Sequence, residues 1–104
     1  MAIGPSSGAE ISLADAQKLI EDFKAKFPGE IKASFVGINT LNLITQQRDL
    51  MGVRIYYGYD TNLDRISPVL VGVDNGGKDM TAVLLDEFKP CPSDCDTSSP
   101  LYIK

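Results

Sequence analysis

Histidine and tryptophan are both missing from the 104 residues, and cysteine occurs only twice. Losing histidine removes the commonest acid–base side chain and the commonest metal ligand together. No run approaches the roughly 20 apolar residues of a membrane-spanning helix, so no membrane partner is expected. No basic stripe stands out. Lys18, Lys24, Lys26 and Lys32 alternate with Glu21, Asp22 and Glu30 as a solvated helix face would. With 10 basic against 14 acidic residues and a net charge of −4, a nucleic-acid partner is not expected either. The N-terminus lacks a basic region followed by an apolar core, and a cytoplasmic location is the expectation.

What the chain does have is 43% hydrophobic residues, enough for a globular core. At this length one domain is expected over residues 11–104. Residues 1–10, with Gly4, Pro5, Ser6, Ser7 and Gly8, read as a flexible lead.

The centre of the chain is the stretch 52–74. Val53, Ile55, Tyr57 and Tyr59 alternate with Arg54, Tyr56, Gly58 and Asp60, and Val69, Val71 and Val73 alternate with Pro68, Leu70 and Gly72. Period two in β-branched and aromatic residues predicts two strands, joined by the polar link 61–65. The register that puts every apolar residue on one face pairs Tyr57 with Val69, Ile55 with Val71 and Val53 with Val73. A slip of one would bring Val69 and Val71 against Tyr56 and Arg54, which burial disfavours. On this reading Ile55 is core, and Ile55→Asp prevents folding. Asn75-Gly76 then predicts a hairpin into a third strand near 80–85.

Ser12, with Asp15 three residues on, predicts a helix start. Ala16, Leu19, Ile20, Phe23 and Phe27 share a helical face, and Pro28-Gly29 ends it. Residues 30–37 read as an extended approach to a second helix beginning near Asn39 and fading by Arg48. The fold class is therefore α+β: two amphipathic helices packed on one face of a small antiparallel meander of three or more strands.

Catalytic residues are not recognisable. Ser6, Ser7, Ser98 and Ser99 have no base partner in sequence, and the glycines match no phosphate-binding fingerprint. The stretch 74–79 lacks the alternating acidic residues and distal Glu of a calcium loop. No cofactor and no metal are implied. Cys91, flanked by Pro90 and Pro92, and Cys95 allow three readings: free thiols, a local disulfide, or a thiol or metal centre completed by Asp94, Asp96 or a second chain. Arg54 and Tyr56, on the face opposite Ile55, are candidate binding residues with Tyr59 beside the link, because Arg and aromatics are enriched at interfaces.

Gly-Val-Arg-Ile-Tyr-Tyr-Gly at 52–58, Val-Leu-Val-Gly-Val-Asp at 69–74, Pro-Cys-Pro-x-x-Cys at 90–95 and Ile-Ser-Leu-Ala-Asp-Ala at 11–16 together resemble a family of small uncharacterised bacterial proteins. The resemblance implies a bacterial origin and makes the Cys91/Cys95 element part of the domain, and it brings no activity with it. The function expected is a binding or interaction module acting on a protein partner or as a homodimer. The alternatives are a thiol- or metal-dependent enzyme or sensor at Cys91 and Cys95, and an acidic inhibitor or immunity-type protein.

Overall fold

The computed structural model describes residues 2–104, and its first helix begins where the capping signal lies. Ser12 Oγ accepts the Asp15 N–H at 3.0 Å, and helix α1 runs Leu13–Lys26. Asp15 stands in its first turn, with Lys24 and Lys26 in its last, which suits the helix dipole. The Phe23 and Phe27 rings pack on each other with centroids 5.3 Å apart. A short strand β1 (Ala33–Phe35) leads to helix α2 (Ile38–Thr45), followed by β2 (Leu50–Asp60), β3 (Arg65–Asp74), β4 (Asp79–Leu85) and β5 (Lys89–Cys91). The chain is α+β with antiparallel sheets: β2, β3 and β4 form a three-stranded meander, and β1 pairs with β5.

The chain divides into two compact units. One joins the first eight residues to 36–88 and holds α2 and the meander. The other joins 9–35 to 89–104 and holds α1 with the β1–β5 pair.

The β2–β3 hairpin departs from the expected register by one residue. Asp60 pairs with Arg65, Tyr56 with Val69, Ile55 with Leu70, Arg54 with Val71 and Val53 with Gly72. The cause lies in the loop. Asp60 Oδ1 accepts the N–H groups of Asn62 and Leu63, and Asp64 adopts a left-handed conformation with φ 54°. An Asx turn of this kind closes the loop one residue sooner, so Arg65 already belongs to the ladder. Residues directly opposite each other point to the same side. Val53 and Ile55 therefore share a side with Gly72 and Leu70, not with Val71 and Val73.

The core follows from this register. On the Gly72 side lies α2: a Cβ added at Gly72 would stand 2.8 Å from Leu50 Cδ1, 3.1 Å from Gln47 Oε1 and 3.4 Å from Ile44 Cγ2. Ile44 is fully buried. On the opposite side Val71 and Val73 are buried, and Val73 lines a cavity of about 210 Å³ with Ile3, Gly4 and Pro5 of the N-terminal segment. That segment is itself turned, with Ser7 N–H bonded to Gly4 O at 3.0 Å. The expectation that Val53, Ile55 and Val71 form one buried face is overturned. Val53 and Ile55 are exposed while Val71 is core.

The second hairpin turns on Asp74, whose Oδ1 accepts the N–H groups of Gly76 and Lys78. Gly77 follows with φ 83°, a conformation glycine adopts without steric cost. In the other unit Gln17 Nε2 donates to Pro100 O and Lys24 Nζ to Ile103 O, both at 2.9 Å. These bonds strap the C-terminal segment along α1. Residues 101–103 form no strand.

Candidate functional site

Alternation along β2 makes two different surfaces of one strand. Even-numbered positions carry Arg54 and Tyr56 on the side of Val71 and Val73. Odd-numbered positions carry Val53, Ile55, Tyr57 and Tyr59 on the side of Gly72.

On the first side, Asp79 at the start of β4 pairs with Val73 in the ladder, which brings its carboxylate beside both candidate residues. Arg54 Nη1 donates to Asp79 Oδ1, and Tyr56 Oη donates to Asp79 Oδ2. The Tyr56 hydrogen bond, joined by the hydrogen bond and charge of Arg54, holds the Asp79 carboxyl below the usual carboxylate range. The same bond pushes the Tyr56 phenol up, because ionising it would break a hydrogen bond to an anion. The Arg54 guanidinium is likewise raised by its bond to Asp79. The Arg54 side chain is 35% exposed and Tyr56 is half-exposed. The guanidinium, phenol and carboxylate thus satisfy one another.

Tyr59 does not join this cluster. It lies on the other side of the strand, where its hydroxyl donates to Asp64 Oδ1 in the hairpin loop. That side is the one the apolar alternation predicts as core. Ile55 is 52% exposed and Tyr57 90% exposed, in the middle of an eleven-residue strand. Helix α2 covers Gly72 and stops short of them. The signal available beforehand was the loop chemistry: an Asp at the strand end with two acceptor-seeking N–H groups after it shortens the link and turns β2 over.

Cys91 and Cys95 are bonded to each other, with Cα atoms 4.9 Å apart. The Pro90–Asp94 turn brings them together, closed by Asp94 N–H to Pro90 O at 2.9 Å. The free-thiol reading gives way to the disulfide. Bonded sulfurs offer no thiolate to a metal, and among the described residues no three Cys, Asp or Glu side chains converge. The disulfide forms part of the wall of a cavity of about 240 Å³, mostly apolar, with Ile20, Ala33, Leu101 and Ile103. Among the described residues no helix is long and apolar enough to cross a membrane.

No protein-family model, curated protein or solved structure matches this chain.

Proposed function

We propose that the chain is a small interaction module whose contact surface is the uncovered side of β2, formed by Val53, Ile55 and Tyr57 with Tyr59 at its end. One observation carries this reading: a central strand position, Tyr57, is 90% exposed, and its same-side neighbour Ile55 is 52% exposed. A sheet with one wet face ordinarily places polar side chains there. A contiguous apolar row on the outside marks a surface that a protein partner covers. Arg54 and Tyr56 lie on the other side of the strand, engaged with Asp79. Kinship with the small bacterial proteins that share these motifs belongs to the same proposal and adds no activity to it.

The test is co-purification. Tagged protein from source cells is expected to retain a stoichiometric partner, which Tyr57→Ser loses while its melting temperature stays within a few degrees. Equal retention by both proteins would refute the surface.

We propose a cytoplasmic location as well, and the Cys91–Cys95 bond bears on it. Disulfides persist in oxidising compartments and are rare in the cytosol. Alkylation of the protein at the moment of lysis tests the point: two blocked thiols support the cytosol, and none argues against it.

A further inference from the structure

We propose that the partner covering β2 is a second copy of this chain, paired antiparallel along the strand edge about Ile55, so that two three-stranded sheets become one of six. This rests on the interaction module proposed above and places its partner at the strand edge, beside the row of Val53, Ile55 and Tyr57 and not over it.

β2 has no strand on its outer edge, and Ile3, Gly4, Pro5 and Ser7 of the N-terminal segment share a cavity with its first residues, Met51 to Arg54. In the order β2-β3-β4 only β3 is paired on both sides. The other edge, β4, is broken: Met80 pairs with Gly72 and Leu84 with Val71, so Thr81, Ala82 and Val83 bulge out of the ladder. Such a bulge protects an edge from pairing. The β2 ladder, by contrast, runs without a shift from Gly52 to Asp60. It contains no proline and no lysine, the residues that commonly blunt an edge. Its two charges are occupied, Arg54 by Asp79 and Asp60 by the loop N–H groups.

The strand is also complementary to itself. An antiparallel two-fold places a residue opposite its own copy, so the choices are few. Centring on Arg54 sets two guanidinium groups face to face, which is unfavourable for directly opposed like charges. Centring on Tyr56 brings the two Asp79-bound phenols head to head and leaves Arg54 opposite Gly58. Centring on Ile55 pairs Ile55 with Ile55, Val53 with Tyr57 and Gly52 with Gly58. It sets each Arg54 against the ring of the opposite Tyr56. Apolar meets apolar on one side, cation meets aromatic on the other, and glycine meets glycine at both ends. No extended peptide of another protein is needed to explain a strand that reads as its own complement.

Light scattering and cysteine cross-linking on the full chain test this. Wild type is expected at twice the 11.3 kDa chain mass, and Ile55→Lys at the single mass with unchanged circular dichroism. Under mild oxidation Ile55→Cys should link to itself in high yield, with Cys91–Cys95 still closed by peptide mapping. Val53→Cys and Tyr57→Cys should link poorly alone and well when mixed. A wild-type monomer at every concentration, a dimer that survives Ile55→Lys, or strongest self-linking at Arg54→Cys or Tyr56→Cys would overturn the pairing. A monomer that still holds another protein in a Tyr57-dependent manner would overturn self-pairing and leave the interaction module standing. Loss of both would remove both.

Discussion

Arg54 stands directly opposite Val71 across the β2–β3 ladder. From that one pairing the two sides of the hairpin are assigned: the side chain next to Arg54, Ile55, must point the other way, where α2 does not reach it. An Asp at position 55 therefore meets water. Ile55→Asp is expected to fold, losing about 1 kcal/mol or less when measured at low protein concentration. Val71→Asp places an unpaired charge in a site 1% exposed, a cost of several kcal/mol against a total stability of about 5–15. Circular dichroism melts should show Ile55→Asp folded and Val71→Asp unfolded.

Gly58 lies against the Ser67 carbonyl, where an added Cβ would stand 2.5 Å from the oxygen. Because that neighbour is backbone, it can yield only by distorting the ladder. Gly58→Ala should cost about 1–3 kcal/mol. Gly52→Ala, on the same strand with nothing within 4 Å of its Cβ, should be close to neutral. Chemical denaturation of the two variants separates them.

The Asp79 cluster predicts a pH response with a definite sign. The Asp79 carboxyl titrates below its ordinary range, chiefly through Tyr56 and then Arg54. Its contribution to stability is present above the unfolded-state pKa of about 3.9 and is lost as pH falls through the lower folded value. Tyr56 titrates above its ordinary range because of Asp79, so its contribution holds below about pH 10 and is lost as pH rises through the folded value. In Asp79→Asn the Tyr56 phenolate should appear at lower pH by ultraviolet titration. An unchanged titration would show that the pair is not formed in solution.

The unit built from α1, β1 and β5 contains no fully buried residue, whereas Ile44, Val71, Val73 and Leu85 are all buried in the other unit. The Cys91–Cys95 bond closes a loop of sequence separation 4, worth roughly 2 kcal/mol by chain entropy. Reduction should therefore raise hydrogen exchange in α1 and β1 while β2 and β3 keep their protection. Uniform loosening of the whole chain would contradict this division.

Much of the architecture was legible in the residues. Ser12 as a cap, Asn75-Gly76 as a turn and the alternation of 53–59 act locally, and each element formed near its expected bounds. The short strand β5 was not legible, since Lys89-Pro90-Cys91 has no periodicity to show. The register differs from the expected one for a physical reason. Burial alone favoured gathering every valine and isoleucine on one face, but the Asp60 carboxylate fixed the loop length first. The sheet then uses both faces, with Gly72 making room for Ile44 on one and Val71 buried on the other. Arg54 and Tyr56 were recognisable as neighbours. Their common acceptor, Asp79, was hidden because it lies on a third strand whose register no local signal sets.

Backbone nuclear Overhauser contacts across the hairpin test the central claim most directly. Contacts joining Tyr56 to Val69 and Ile55 to Leu70 are predicted. Contacts joining Tyr57 to Val69 and Ile55 to Val71 would return Ile55 to the interior and contradict the exposed row on which the proposed contact surface depends.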